Sequence, residues 1–189
     1  MARPSEPPAQ TPAASADEHD LLRLDLQICF ALHAASRAFG GVYRQVLRET
    51  RLTYPQYLAL LVLWEHGEMP VKRLGDHLRL DSGTLSPLLK RMEGAGLVQR
   101  ERSAHDERSV TVRLTADGAA LKADAQAVPR KVIAASGLDP RELTDLRNRL
   151  HRLTRALDSA LDAGAGLDVP GSDAPAPERR PPGAAGGEG

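Results

Sequence analysis

The sequence has little cysteine and no excess of charge of either sign. Cys29 is the single cysteine among 189 residues, so no disulfide can form within one chain. A metal site would have to be built from His, Asp and Glu, and we find no ligand spacing among them. We therefore expect neither a metal nor a cofactor. The 25 basic and 25 acidic residues cancel, and this balance points to no particular partner.

Long apolar runs are also missing. The longest, residues 57–64, is far too short to cross a bilayer, and residues 1–18 lack the apolar stretch of a signal peptide. We expect a cytoplasmic protein that does not engage a membrane. Residues 1–18 and 163–189 are rich in Pro, Ala and Gly without periodicity, which predicts two disordered tails around one domain at residues 19–162.

Helical periodicity dominates that domain. Apolar residues predict a first helix that starts after Asp20, with Leu22, Leu26, Cys29, Phe30 and His33 on one stripe. Gly40 and Gly41 predict a kink or break in it. Three further helices are predicted at residues 54 to about 65, 71–79 and 82–94.

After Gly96 the spacing of apolar residues changes from the period of a helix to the period of a strand. Residues 97–101 and 109–114 alternate in polarity and predict a two-stranded hairpin. Thr115 then caps a helix that ends near Ala134, and Asp139-Pro140 opens the last helix. The last helix carries one seam of leucines at positions 143, 146, 150, 153, 157 and 161. The seam can pack inside one chain, but little of the domain is left to cover it, so we favour a homodimer interface.

This order of elements is typical of a winged helix-turn-helix, a mainly α fold with a β-hairpin wing. Residues 54–114 form the predicted DNA-binding part, and the helices at about 20–50 and 115–162 form the dimerisation region. Asp81 is a good N-cap for the helix that enters the major groove. Between residues 71 and 115 there are nine basic and six acidic residues. So small a surplus usually only solvates a surface, and the order of elements is what favours DNA.

Several motifs are similar to those of one known family. HDERSVTVRLT resembles the wing signature of the MarR family of transcription regulators. LTYPQYLALLVLWEHG, LDSGTLSPLLKRMEGAGLV and LQICFALHAASR resemble its organic-hydroperoxide-sensing branch, usually called OhrR. The resemblance implies a dimeric repressor on a pseudo-palindromic operator in double-stranded DNA. It assigns DNA contacts to Ser82, Thr84, Ser86, Lys90 and Arg91 in the recognition helix and to Arg108 at the wing tip. Asp106 would orient Arg108, or the two would only clamp the hairpin turn.

Cys29 has two interpretations. Its place in an apolar stripe favours inert packing. The resemblance instead implies a sensor that an organic hydroperoxide oxidises to a sulfenic acid, beside Tyr43 and Tyr54. His33 stands where the branch often has another tyrosine. It either replaces that tyrosine as a donor to the thiolate, which we hypothesise, or only fills the helix face. Without a second cysteine, the sulfenic acid would pass to a low-molecular-weight thiol, to a sulfenamide or to over-oxidation.

The position of Tyr43 raises a geometric question. It lies 14 residues after Cys29, which is about 21 Å along an unbroken helix. Either the helix folds back at Gly40 and Gly41, or Tyr43 reaches Cys29 of the other subunit.

Three other functions remain open. A MarR-type repressor can respond to a noncovalent phenolic or carboxylate ligand, with Cys29 as a lining residue. A thiol peroxidase would share the sulfur chemistry but has no use for a recognition helix, so we do not expect an enzyme. A dimer module that does not bind DNA is disfavoured because it too would have no use for a recognition helix.

Overall fold

The computed structural model describes residues 21–102 and 109–163 of the chain. The predicted tails lie outside this part except for Ala163, and so does the hairpin tip at residues 103–108. The described elements are, in order, α1 (Ile28–Val46), α2 (Tyr54–His66), β1 (Met69–Pro70), α3 (Val71–Leu78), α4 (Ser82–Gly94), β2 (Val98–Arg102), β3 (Val110–Leu114), α5 (Ala116–Ala125), α6 (Val128–Ser136) and α7 (Pro140–Asp162).

The chain divides into two compact units, one that ends at Gly137 and one that begins at Leu138. The first unit holds the hydrophobic core. Its fully buried large side chains come from the residue after α1 and from α2, α3, α4, β2 and β3. They are Leu47, Leu60, Leu63, Leu74, Leu85, Leu89, Met92, Val98 and Val112. The pair α3–α4 and the β2–β3 hairpin pack around α2, so the predicted helix-turn-helix and hairpin are confirmed.

The ends of α2 follow from local sequence. Pro55 occupies the first turn, where its missing N–H costs no helical bond, and the Gln56 side chain accepts the Thr53 amide at 2.9 Å. Gly67 ends the helix at φ 75°, a conformation that favours glycine. The apolar helix between these ends buries Tyr57, Leu60 and Leu63.

The predicted two-stranded hairpin belongs to a sheet of three strands, and its third strand, β1, was not predicted. β1 pairs antiparallel with β3, Met69 opposite Val112, and the strand order is β1-β3-β2. Two residues are too few to show an alternating pattern. Pro70 argues against a strand in sequence, yet it is compatible with the edge position that β1 occupies.

The first helix differs from its prediction in two ways. A 3₁₀ turn at Leu24–Leu26 and the extended Gln27 precede α1, so Leu22 and Leu26 do not belong to its stripe. The helix then runs unbroken through Gly40 and Gly41, so a break there is wrong, and a kink stays a prediction. The helix cost of two glycines is about 2 kcal/mol, and packing of the neighbouring Val42, Tyr43 and Val46 against the core offsets it.

The helix predicted from Thr115 to Ala134 is two helices. Thr115 does cap the first, because its hydroxyl accepts from the Gly118 amide at 3.0 Å. The chain leaves the helix after Ala125 and starts α6 at Val128. Pro129 explains the break, since it has no N–H to donate to the carbonyl of Ala125.

The second unit contains α7. Asp139 accepts from the amides of Arg141 and Glu142, at 2.7 and 2.9 Å, and the Glu142 side chain accepts the Asp139 amide at 2.8 Å. This capping box fixes the predicted start. No side chain of α7 is buried, and the seam leucines Leu146, Leu157 and Leu161 are exposed.

Gly118 is the position at which the fold leaves no room for a side chain. A Cβ built there lies 2.0 Å from the Leu97 carbonyl oxygen, which is main chain and cannot move alone. We expect Gly118→Ala to lower the free energy of unfolding by about 2–3 kcal/mol in denaturant titrations. Gly94→Ala is the matched control, because nothing lies within 4 Å of its Cβ. Equal stability of the two variants would contradict the close approach.

Candidate DNA interface and redox site

α4 separates its side chains into a buried and an exposed face. Leu85, Leu88, Leu89 and Met92 are buried and attach the helix to the core. The five predicted DNA-contacting side chains of this helix are all exposed: Ser82, Thr84, Ser86, Lys90 and Arg91. The helix therefore presents hydroxyl groups in its first half and two positive charges in its second.

The start of α4 is fixed by Asp81. Its carboxylate accepts the Thr84 amide at 2.8 Å and the Thr84 hydroxyl at 3.2 Å. These two hydrogen bonds lower the pKa of Asp81, the backbone bond most, so the cap stays charged at neutral pH. Because the Thr84 hydroxyl donates to Asp81, its lone pairs and methyl group are what it can offer a base edge.

Pro87 lies inside α4 and is exposed. The helix continues through it, although its ring nitrogen has no hydrogen for the Gly83 carbonyl. That carbonyl lies in the exposed first turn, where water or a nucleic acid can reach it. A local bend at this point stays a prediction.

An ion pair joins the recognition helix to the hairpin. Arg100 in β2 donates to Glu93 in α4 through Nη2 at 2.6 Å and Nε at 3.0 Å, and its backbone amide donates to the same carboxylate at 3.2 Å. These bonds lower the pKa of Glu93. In the hairpin itself, Arg113 pairs with Glu101 at 2.7 Å. Arg100 and Arg113 are thus held by carboxylates.

The hairpin tip carries the other predicted contacts. β2 and β3 pair from Val98 opposite Leu114 to Arg102 opposite Val110. Asp106 and Arg108 lie outside the described residues, so their roles stay predictions. Exposed cations that remain near this end of the unit are Lys72, Arg73, Lys90, Arg91 and Arg102.

Cys29 is exposed in the first turn of α1. Its interpretation as core filling within the chain is therefore wrong. No residue of α1 is buried, and His33, one turn further along, is exposed as well. Positions four apart share a face of a helix, so the thiol and the imidazole lie on the same exposed face.

Tyr43 and Tyr54, by contrast, are in contact. Their ring centroids are 4.3 Å apart, and Tyr43 also lies 6.0 Å from Tyr57. Burial raises the pKa of all three phenols, and for Tyr43 the neighbouring phenols Tyr54 and Tyr57 add to the effect. The hydroxyls therefore keep their protons and their donor capacity well above neutral pH.

The unbroken α1 separates this tyrosine pair from the thiol of the same chain. Fourteen residues of continuous helix span about 21 Å, several times the reach of a phenol. The sequence left two ways for Tyr43 to reach a Cys29 thiol: a helix that folds back at Gly40 and Gly41, or contact with the other subunit. The helix does not fold back, because α1 is continuous. The predicted redox residues of one chain therefore form two separate groups, Cys29 with His33 and Tyr43 with Tyr54.

One contact was not foreseen from the sequence. The Trp64 indole N–H in α2 donates to the Gly118 carbonyl in α5 at 2.9 Å, across 54 residues. A half-buried indole does need an acceptor, and a glycine inside a helix often marks close approach. Neither signal, however, identifies the other residue.

Among residues 21–102 and 109–163, no group of three His, Cys, Asp or Glu side chains is arranged to hold a metal ion. In the same ranges no helix combines the length and apolar character needed to cross a bilayer.

Known proteins similar to this chain are transcription regulators. Residues 41–125 match the family model of the transcriptional regulator SarA/Rot. The organic hydroperoxide resistance transcriptional regulator of Bacillus subtilis is 46% identical over 141 residues, 75% of this chain and 96% of that protein. The crystal structure of overoxidized AbfR bound to DNA is 34% identical, with a TM-score of 0.62 over 75% of this chain and 99% of that chain. The chain belongs to the MarR family, in its organic-hydroperoxide-regulator branch.

Membership of the MarR family agrees with the geometry of α4 and the hairpin. A mutant MarR from Escherichia coli, complexed with operator DNA, has the same fold at 24% identity, with a TM-score of 0.61 over 65% of this chain and 90% of that chain. The chain is a DNA-binding winged-helix regulator and not an enzyme.

The raised phenol pKa values predict a pH effect. The chain has three tyrosines, so the absorbance of phenolate reports this cluster alone. In the folded protein we expect ionisation midpoints above 10, and in denaturant a return to about 10. Because the unfolded state then loses protons first, stability should fall as the pH rises past 10. A folded-state midpoint at or below that of the denatured chain would contradict the burial of these hydroxyls.

Proposed function

We propose that this protein is a homodimeric repressor that binds a pseudo-palindromic operator and leaves it when an organic hydroperoxide oxidises Cys29. The observation that carries the proposal is the exposed Cys29 on an unbroken helix, about 21 Å from Tyr43 of its own chain. A pocket that contains both groups needs a second chain. Because such a protein acts on the chromosome, it works in the cytoplasm.

Exposed apolar surface supports the dimer. Leu21, Leu22, Leu24, Leu26, Ile28 and Phe30 are between 42% and 92% exposed around the start of α1. In the leucine seam of α7, Leu146, Leu157 and Leu161 are exposed and no leucine is buried. A monomer rarely leaves so many large apolar side chains in water, and a second copy is the partner that is always present.

In the dimer, Tyr43 and Tyr54 of one chain donate to the Cys29 sulfur of the other. A protonated phenol is suited to this because it stabilises a thiolate without a charge of its own. His33, on the same face as Cys29, supplies a further donor from the same chain. These donors favour the reactive form of the sulfur.

The redox step needs only the peroxide. The thiolate attacks the outer peroxide oxygen, the O–O bond breaks, and the alkoxide takes up a proton to leave as an alcohol. Sulfur is oxidised to a sulfenic acid, and the peroxide is reduced. A low-molecular-weight thiol then condenses with the sulfenic acid to give a mixed disulfide and water, since the chain has no second cysteine. A larger sulfur substituent no longer fits the tyrosine donors, and the dimer changes shape.

A noncovalent inducer is the second candidate. A groove of about 450 Å³ is lined by Tyr57, Leu61, Trp64, Lys122 and Pro129, among others. Its aromatic walls are suited to a phenolic ligand, whereas the charges of Lys122 and Glu65 offset each other.

Replacement of the thiol separates the two candidates. We expect Cys29→Ser to bind the operator like the wild type and to stay bound when an organic hydroperoxide is added. Footprinting on the gene's own upstream region, with and without hydroperoxide, measures this. Half-sites should lie about 10 base pairs or a multiple of that apart.

Two controls complete that experiment. Hydroperoxide with a small thiol should release the wild type more durably than hydroperoxide alone. If Cys29→Ser is still released by the inducer, the noncovalent candidate is correct and the redox proposal fails.

The charges of α4 give a separate prediction for DNA contact. We expect Lys90→Ala or Arg91→Ala to weaken binding to any duplex. In a dimer each loses two phosphate contacts, so the slope of log affinity against log salt should become shallower by about 2. Lys131→Ala is the matched control, because Lys131 pairs with Glu49 at 3.7 Å in another part of the unit. An unchanged slope for both α4 variants would place the DNA elsewhere.

A further inference from the structure

Four of the six aromatic residues form one continuous series of ring contacts. Tyr54 packs on Tyr43 at 4.3 Å between centroids, Tyr43 on Tyr57 at 6.0 Å, and Tyr57 on the edge of Trp64 at 6.4 Å. All three separations lie within the range of favourable aromatic pairs or just below it. The series links the end of α1 to the last turn of α2.

The far end of this series is bonded to α5. Trp64 Nε1 donates to the Gly118 carbonyl at 2.9 Å, and Lys122 Nζ donates to the Trp64 carbonyl at 3.3 Å. Trp64 is thus attached to α5 twice: its side chain bonds Gly118 in the first turn, and its backbone carbonyl accepts from Lys122 in the last turn. It is also the single tryptophan of the chain.

The first turn of α5 is pressed against the base of the hairpin. Gly118 faces the Leu97 carbonyl so closely that a Cβ would be 2.0 Å from it. The Thr115 amide donates to that carbonyl at 3.1 Å, and the Thr115 hydroxyl donates to the Gly96 carbonyl at 2.5 Å. Leu97 directly precedes β2, so a displacement of Gly118 has to displace the hairpin as well.

The hairpin in turn is fixed to the recognition helix. Arg100 in β2 holds Glu93 in α4 with two side-chain bonds and one backbone bond. These bonds give a movement of the hairpin base a direct route to α4. The contacts run without a gap from Tyr43 to both DNA-contacting elements.

We infer that Trp64 is a positioning residue that couples the Tyr43–Tyr54 pair to the base of the hairpin through its hydrogen bond to Gly118. A shift of the tyrosines moves Tyr57 and Trp64, and the indole pulls or releases the first turn of α5. The inference rests on the proposed function for the event that moves the tyrosines. It goes beyond that function by naming the route to DNA.

Trp64→Phe is the decisive variant, because it keeps an aromatic ring in the series and removes only the indole with its N–H donor. The quantity to measure is the induction ratio, the operator affinity of the reduced protein divided by that of the oxidised protein. We expect this ratio to fall by about two- to thirtyfold, with Cys29 oxidised at the wild-type rate. A wild-type ratio in Trp64→Phe would overturn the inference.

Lys122→Met is the matched control. It removes the other tie between α2 and α5 but leaves the Trp64–Gly118 bond in place, so we expect the wild-type ratio. An equal fall in both variants would assign the effect to general docking of α5 and would overturn the role of the indole. Denaturant titrations of each variant verify that it is folded in the assay.

Trp64 is also a natural fluorescent reporter. In the wild type we expect its emission to change on addition of hydroperoxide, and in Cys29→Ser to stay constant. Release of the operator without any change in emission would overturn the inference while the proposed function stands.

A failure of the proposed function gives a different result from a failure of the coupling. If hydroperoxide leaves wild-type operator binding unchanged, that proposal fails, and the coupling is decided without an oxidant. Operator affinities of Tyr43→Leu, Trp64→Phe and the double variant then form a mutant cycle. A departure from additivity of about threefold or more supports the coupling, and additive effects overturn it.

Discussion

The fixed rise of one continuous helix is the constraint on which the proposed chemistry depends. α1 holds Cys29 near its start and Tyr43 near its end, and no rotamer of either side chain can span the about 21 Å between them. A redox pocket that uses both must therefore be shared between two chains. The uncovered apolar residues around the start of α1 are consistent with that requirement, since they need a cover that one chain does not provide.

The DNA-contacting part is held together as one body. Four buried side chains attach α4 to the core, Asp81 fixes its first turn, and Glu93 with Arg100 joins it to β2. Such a body has few internal ways to change shape. On the proposed mechanism, regulation acts on where the DNA-contacting parts of the two chains stand relative to each other on the duplex, and not on whether a single recognition helix is formed.

Local signals predicted the DNA-contacting part well. Asp81 and Thr115 have short polar side chains that cap helices, and the change to period two after Gly96 marks the hairpin. Errors arose where packing outweighed propensity, as at Gly40 and Gly41, or where one residue was overlooked, as with Pro129 between α5 and α6. β1 was too short to carry a pattern. The Trp64–Gly118 bond joins residues 54 apart, and no local rule specifies such a pair.

On the proposed mechanism, a two-fold symmetric dimer has two Cys29 pockets, and the free energy that each contributes decides how far one oxidation shifts the dimer. A hydrogen bond to a charged group contributes about 1.5–3 kcal/mol, so oxidation that removes one such bond to a thiolate biases the dimer by roughly that amount. A change from 1:99 to 99:1 between two states needs about 5.5 kcal/mol. One oxidised pocket falls short of this, whereas two pockets approach it. On the proposed mechanism the dimer therefore responds weakly to a single modified sulfur and fully only when both are modified, which protects the repressor from release by an isolated oxidation.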